Sequence, residues 1–156
     1  MTRVESPART WRLLRMALVV VVVAGLAVDA YVHLDLASSY DPVKTSTLSQ
    51  GDLFRAQSVV AILAALLLLV RPRRWTAAIA AVVAGSALAA VLVYRYVDIG
   101  QLGPIPSMYE PNWYTDKTMS AVAEAAAFVA AVVLLFVPWR RSTRTVVGAH
   151  RRATNP

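Results

Sequence analysis

The sequence predicts an all-α integral membrane protein: a four-helix transmembrane bundle with two outer loops and both termini inside the cell. Four apolar stretches have about the 20 residues that a helix needs to cross a hydrocarbon core of roughly 30 Å. The chain has 156 residues, is 58% hydrophobic and carries a formal net charge of +7. This length is typical of one domain, so residues 1–156 are expected to form a single transmembrane domain.

Most of the basic residues lie in three parts of the chain, and this predicts the orientation. Twelve of the sixteen Lys and Arg residues precede the first apolar stretch, separate the second from the third, or follow the fourth. Such clusters mark the cytoplasmic side. We therefore predict basic cytoplasmic tails at 1–11 and 140–156 in a bacterial plasma membrane. Anionic lipid accounts for the charge, and no nucleic-acid partner is expected.

The four spans are predicted at 16–36, 53–70, 76–97 and 118–137. The first contains five consecutive valines at 19–23. Arg71-Pro72-Arg73-Arg74 separates the second from the third as a short turn, so these two spans are expected to form an antiparallel hairpin. Pro138 ends the fourth span, because proline cannot continue a helix.

A secretory signal peptide is the alternative for the N-terminus. Arg12 and Arg15 precede the apolar run 16–26, and Val28-Asp29-Ala30 has small residues suited to a cleavage site. Cleavage there would leave three spans in the same orientation. The apolar run continues to Leu36, which favours a complete first span.

The two outer loops differ in composition. Loop 38–52 contains Asp41-Pro42, which favours a turn, and Thr47 and Gln50 have the spacing of a capping box. Span two is therefore expected to begin with an extra helical turn. Loop 98–117 is rich in glycine, proline and aromatic residues, which predicts an ordered, non-helical cap. Its aromatic residues suit an interfacial anchor, and a lid or docking surface is the functional alternative.

Small residues recur at four-residue spacing in the third and fourth spans. They are Ala81, Gly85 and Ala89 in the third, and Ala123, Ala127 and Ala131 in the fourth. Small residues at this spacing allow helices to approach closely in lipid. The pattern predicts a compact bundle and is equally compatible with a homo-oligomer or a larger complex.

Polar residues in the outer half of the spans form the candidate site. Asp29 and His33 are four residues apart on span one, and Ser120 and Glu124 are four apart on span four, so each pair shares a helix face. From the helical rise, Asp29 lies roughly 13 Å and Glu124 roughly 10 Å from the outer end of its span. The two acids are therefore expected at similar depth.

Three interpretations of these residues are open. In the structural one, Asp29 and Glu124 pair with Arg55 and Arg95, whose guanidinium groups bind carboxylates well, and so fix the helix register. Ionisable residues within a span are costly and need such partners.

The other two interpretations are functional. Asp29, His33 and Glu124 are suited to bind or relay a cation or proton, as carboxylates and imidazoles do in transporters. A redox or quinone site would instead combine His33 with Tyr31 or Tyr94.

Several chemistries are excluded. The chain has no cysteine, which removes thiolate catalysis and iron–sulfur ligation. Its two histidines, His33 and His150, are expected on opposite sides of the membrane, which removes a bis-histidine haem. We predict no cofactor, no metal and no catalytic residue. The expected role is a non-enzymatic accessory or interaction subunit, in contact with lipid and with other membrane subunits or a second copy.

Three segments carry a resemblance to other proteins. They are Asp29–Leu36, Tyr94-Arg95-Tyr96-Val97-Asp98 and Met108-Tyr109-Glu110-Pro111-Asn112-Trp113-Tyr114. With them the chain, from about Trp11 to Pro138, resembles small four-span membrane proteins of high-GC Gram-positive bacteria. The resemblance implies the topology given above and no particular activity.

Overall fold

The computed structural model describes residues 7–139, and within them all regular secondary structure is helical. The helices are α1 (Pro7–Ala37), α2 (Gln50–Val70), α3 (Arg74–Tyr96) and α4 (Thr115–Phe136), with a short 3-10 turn at Ser38–Tyr40. Each of the four is long and apolar enough to cross a membrane. The predicted all-α class, with four helices long and apolar enough to span a membrane, is therefore confirmed over this range. The predicted basic tails lie mostly outside the described residues.

The helices form a closed ring in which each one packs against two neighbours. Their order around the ring is α1, α2, α3, α4, so α1 also packs against α4. We call the end that carries segments 38–49 and 97–114 the loop end. The opposite end, with the start of α1, the α2–α3 turn and the end of α4, is the turn end. There the Arg15 guanidinium lies 5.1 Å from the centre of the Trp139 ring.

The bundle has an apolar exterior as well as an apolar core. Val82 and Phe136 are 71% and 79% exposed, among many other large apolar side chains on the outer surface. A monomeric soluble protein rarely exposes apolar patches on this scale, whereas hydrocarbon is a suitable environment for them. The fully buried apolar side chains toward the turn end are Val22, Leu26, Leu68 and Leu134, with alanines between them.

Helix α1 begins earlier than predicted, and α2 begins with the expected extra turn. Helix α1 starts at Pro7, where proline suits the first turn of a helix, and not at 16. Helix α2 starts at Gln50 with Ser49 as its N-cap, so the expected extra turn is present. The capping box is not the predicted Thr47–Gln50 pair. Ser49 Oγ accepts from the Asp52 amide at 3.0 Å, and the Asp52 carboxylate accepts from the Ser49 amide at 3.1 Å.

The loop end is held by polar contacts between its segments. The Tyr40 and Tyr114 hydroxyls are 2.8 Å apart, and Thr45 Oγ1 donates to the Pro104 carbonyl at 2.9 Å. Segment 97–114 is non-helical, as predicted. The Glu110 amide binds the Tyr94 carbonyl at 3.0 Å, which ties this segment back to α3.

An ion pair fixes the first loop to α2. Both terminal nitrogens of Arg55 donate to the Asp41 carboxylate, each at 2.8 Å. This bidentate contact holds the pKa of Asp41 below its ordinary value of 3.8. Because the folded-state pKa is lowered, the pair stabilises the loop above about pH 4 and loses this contribution as the pH falls below that value.

Replacing Arg55 by glutamine is expected to raise the pKa of Asp41 toward its ordinary value. The carboxyl carbon of Asp41, followed by NMR across an acid titration in detergent, measures this directly. Arg71→Gln, at the turn end, is the matched control and should leave the pKa of Asp41 unchanged. An Asp41 titration that is the same in Arg55→Gln and in the unmodified protein would contradict the assigned cause.

Candidate functional site

A buried polar cluster joins three helices in the loop-end half of the bundle. It consists of Asp29 and His33 of α1, Gln57 of α2, and Ser120 and Glu124 of α4. The Asp29 carboxylate is its hub: one oxygen lies 2.8 Å from His33 Nδ1, and the other accepts from Gln57 Nε2 at 3.0 Å. Ser120 Oγ lies 3.3 Å from Asp29 Oδ1 and 2.9 Å from Glu124 Oε1. The single hydroxyl proton of Ser120 serves one of the two carboxylates at a time.

The two acids are both fully buried, but their hydrogen bonding differs. Asp29 and Glu124 are each 0% exposed. Asp29 has contacts on both of its oxygens, whereas Glu124 Oε2 is buried without a hydrogen-bond partner. A buried polar atom with no partner is uncommon in folded proteins and calls for an explanation. Glu124 Oε2 is therefore the atom of the cluster that has spare binding capacity.

The structure brings together three of the five predicted site residues. Asp29, His33 and Glu124 each offer one donor atom, and these atoms lie within 4.8 Å of one another. Sequence spacing predicted that Asp29 and His33 share one face of α1. The packing of α1 against α4 brings Glu124 next to that face.

Neither predicted arginine partner belongs to this cluster. Arg55 binds Asp41 and also donates to Asp52 at 3.3 Å. Arg95 lies over the rings of Tyr96 and Trp113, and its Nε is buried without a hydrogen-bond partner. Long basic side chains near the end of a span extend toward the boundary, away from the hydrocarbon centre. The expected pairing of Asp29 and Glu124 with arginines is therefore wrong.

Three further polar residues lie at or beside the site, and two of them, Ser58 and Lys117, were not predicted as part of it. Gln57 donates to Asp29, and the fully buried Ser58 donates to carbonyls of Phe54 and Ala30, at 2.9 and 3.1 Å. Lys117 donates to the Glu110 carbonyl and is buried. Its position one turn before Ser120 was the available signal, because residues three apart share a helix face.

A cavity of about 210 Å³ lies beside the cluster, between α1, α2, α3 and α4. His33, Gln57 and Ser120 line its deeper part, and Glu110 and Lys117 line it near the loop end. Most of the remaining wall is apolar or aromatic. The predicted cluster is thus adjacent to a space that reaches toward the loop end.

The tyrosines of this region occupy different places. Tyr94 lines the same cavity as His33, whereas Tyr31 is 65% exposed on the outer surface of α1. Of the two tyrosines in the quinone interpretation, Tyr94 alone shares a space with His33. Burial, together with the hydrogen bond between Tyr114 and Tyr40, raises the pKa of Tyr114 above its ordinary value, so this cavity residue stays a neutral phenol.

No family model, curated protein or solved structure matches this chain. The resemblance to small four-span proteins of high-GC Gram-positive bacteria stays a prediction. The geometry of the site is therefore the basis on which a function is inferred.

Proposed function

We propose that this protein is a multi-pass protein of the bacterial plasma membrane that binds a small cation at Asp29, His33 and Glu124. The observation that carries the proposal is the buried Glu124 Oε2, which has no partner and adjoins a second carboxylate. Among residues 7–139, no Lys or Arg side chain hydrogen-bonds to either carboxylate.

The charge of this site needs a counterion. An isolated carboxylate transferred from water to an apolar interior is strongly disfavoured unless it is paired or protonated. Asp29 has three polar neighbours that stabilise its charge, whereas Glu124 is bonded to the Ser120 hydroxyl and otherwise faces the Asp29 carboxyl group. A proton or a bound cation at Glu124 supplies the positive charge that no Lys or Arg side chain of the described residues provides to this carboxylate.

Access from one side supports binding over open conduction. The cavity extends from residues beside the cluster to residues of the loop end, and toward the turn end the described core is apolar apart from Thr76, with Leu26, Leu68 and Leu134 fully buried. An ion held at the cluster therefore meets a packed apolar layer next. Passage across the bundle would require the helices to rearrange.

The charge distribution supports a cytoplasmic turn end. Arg71, Arg73 and Arg74 lie at this end of the bundle, whereas Asp41, Asp98 and Glu110 lie at the loop end. By the positive-inside rule, both termini are then cytoplasmic and the cavity faces the outside.

Infrared difference spectroscopy of the protein in lipid tests the proposal. We expect a carboxylic acid carbonyl band from Glu124 that weakens when a bound cation replaces the proton, and a panel of Na⁺, K⁺, Mg²⁺ and Zn²⁺ samples the candidates. Glu124→Gln should abolish the band. Glu110→Gln, which changes an acid outside the cluster, is the matched control and should retain it.

A band that persists in Glu124→Gln would show that the titrating acid lies elsewhere. A carboxyl spectrum that responds neither to pH nor to any cation in the panel would overturn the proposal.

The apolar layer at the turn end leads to a second expectation. Liposomes that contain the purified protein should show no conductive flux of protons or cations above that of protein-free liposomes, as measured with a pH-sensitive dye under an imposed potential. Leu26→Ser, which places a hydroxyl in this layer, is the variant in which a leak would be expected. A large flux through the unmodified protein would contradict one-sided access.

The accessory role predicted from the sequence stays a prediction and is compatible with a cation site. Native mass spectrometry of the protein, extracted from its own membrane in mild detergent, tests it. Polypeptides that co-elute at a fixed ratio would support an accessory role. A lone chain with a small bound mass would support the cation site acting alone.

A further inference from the structure

Resting on the proposed cation site, the geometry points to its ligand: we infer that Asp29, His33 and Glu124 bind one divalent transition-metal ion. The sequence alone predicted no metal here. The inference departs from that expectation because the fold brings one imidazole and two carboxylates from two helices into one buried cluster.

The distances suit a single ion after a small closure. The three donor atoms lie within 4.8 Å of one another. Ligands bound to zinc at about 2.0–2.2 Å lie roughly 3.3–3.6 Å apart in a tetrahedral site, so closure requires movements of about 1 Å. Glu124 Oε2 has no hydrogen-bond partner of its own, so the carboxylate can turn Oε2 toward an ion while Oε1 stays near Ser120 Oγ.

The charge of the site favours a divalent ion over a monovalent one. When His33 is neutral, as a metal ligand must be, the two ionised carboxylates carry two negative charges, and Arg55 and Arg95 are both engaged elsewhere. A divalent ion neutralises both carboxylates, whereas Na⁺ or a single proton leaves one buried charge uncompensated.

The donor types favour transition metals over Mg²⁺ and Ca²⁺. Mg²⁺ and Ca²⁺ select oxygen ligands, whereas imidazole suits zinc, iron, copper and nickel. His33 Nδ1 lies 2.8 Å from Asp29 Oδ1 and 3.0 Å from the Asp29 carbonyl. A proton held between the ring nitrogen and the carboxylate is the species that the metal would replace, so binding should release protons.

The surroundings of the cluster resemble the outer shell of metal sites in proteins. Gln57 Nε2 donates to Asp29 and Ser120 Oγ contacts both acids, which orients the carboxylates. The cavity reaches His33, Gln57 and Ser120, each of which contacts Asp29, so an ion that enters it arrives next to the two carboxylates, which do not line the cavity themselves. Lys117 lines this path, with its ammonium group bound to the Glu110 carbonyl.

Binding of Co²⁺ to the full-length protein in detergent tests the inference, because Co²⁺ in a nitrogen–oxygen site absorbs visible light. The protein carries no polyhistidine tag, and His150, the second of the two histidines, is replaced by glutamine in every sample. We expect one Co²⁺ per chain, displaced by Zn²⁺ and not by Mg²⁺ or Ca²⁺. Glu124→Gln and His33→Gln should each weaken binding about 100-fold or more.

Asp35→Asn is the matched control, since Asp35 lies two residues after His33 and outside the cluster. It should bind Co²⁺ as the unmodified protein does. Thermal unfolding of each variant, followed by circular dichroism, separates loss of the site from loss of the fold. Glu124→Gln alone suffices for the test if His33→Gln does not fold.

The outcomes separate this inference from the proposed function. Stoichiometric Co²⁺ binding that requires Glu124 supports both. A Glu124 infrared band that responds to pH or Na⁺, with no saturable metal binding, overturns the metal inference and leaves the cation site standing. Binding that survives both substitutions overturns the inference as well. If the protein binds no metal and its carboxyl band responds neither to pH nor to any cation, both the metal inference and the proposed cation site are overturned.

Discussion

Gly25→Leu is expected to separate α1 from α4 and to remove the buried cluster with it. A Cβ atom built on Gly25 would lie 2.7 Å from the Ala123 carbonyl oxygen and 2.9 Å from Ala127 Cβ. Backbone atoms cannot move aside as the end of a flexible side chain can, so the helices must separate. Overpacking typically costs about 1–3 kcal/mol, and for leucine at this contact we expect more than about 3 kcal/mol.

The consequence for the site follows from its position. Asp29 lies one turn after Gly25 on α1, and Glu124 follows Ala123 on α4. The close approach at Gly25 therefore sets the distance between the two carboxylates. Any separation of the helices here moves Asp29 away from Ser120 and Glu124, whose contacts with each other are within α4.

Gly25→Ala is a milder substitution that tests the same contact, and Gly85→Ala is its matched control. At Gly85 the nearest atoms to a new Cβ belong to the Phe128 side chain, at 2.9 Å, and that side chain can turn away. Unfolding free energies measured in mixed micelles should fall by about 1–3 kcal/mol for Gly25→Ala and by less than about 1 kcal/mol for Gly85→Ala. Equal losses at the two positions would show that the α1–α4 contact is not the tight one.

The number of helices and their approximate positions were predictable from the sequence, because a span needs a long apolar run and the chain has four of them. The start of α1 and the capping residues of α2 were not. Helix α1 begins at Pro7, within a polar segment that hydropathy alone assigns to the tail. Helix α2 depends on the Ser49–Asp52 capping box, and the sequence offered the competing Thr47–Gln50 spacing.

The candidate site was predictable within one helix and not between helices. Periodicity places Asp29 beside His33, and Ser120 beside Glu124. It does not state which faces of α1 and α4 meet. That depends on small residues such as Gly25 and Ala127, whose contact brings the two pairs together.

The assignment of Arg55 failed for a related reason. Its carboxylate partner, Asp41, lies in a loop that folds back over the start of α2, and such a fold leaves no periodic signal in the sequence.

Asp29→Ala is expected to destabilise the bundle strongly, whereas Glu124→Gln should not. Removal of the Asp29 carboxylate leaves His33, Gln57 and Ser120 without that acceptor. The contacts from Gln57 and Ser120 join different helices, and interhelical hydrogen bonds in membrane proteins are worth about 0.6–1.7 kcal/mol each. Their loss alone should cost about 1–3 kcal/mol, and the loss of the His33 contact within α1 adds to this. Unfolding in mixed micelles, followed by circular dichroism, measures it.

Glu124→Gln keeps the shape of the side chain and an oxygen that can face Ser120, and Oε2 has no hydrogen bond to lose. We expect a change of less than about 1 kcal/mol, together with loss of cation binding. Asp29→Asn keeps one acceptor oxygen, so its loss of unfolding free energy should lie between those of Asp29→Ala and Glu124→Gln.

The contrast between these variants separates an architectural role from a binding role within one cluster. From the sequence, Asp29 and Glu124 were expected to behave alike, since both are acids at similar depth in a span. The structure distinguishes them, because Asp29 is fully bonded to residues of three helices and Glu124 keeps one free oxygen. If Glu124→Gln proved as destabilising as Asp29→Ala, the free oxygen would have a structural partner after all, and the cation site would lose its basis. If Glu124→Gln folds normally and no longer binds the cation, then Asp29 holds the helices together and Glu124 is the residue that binds the cation.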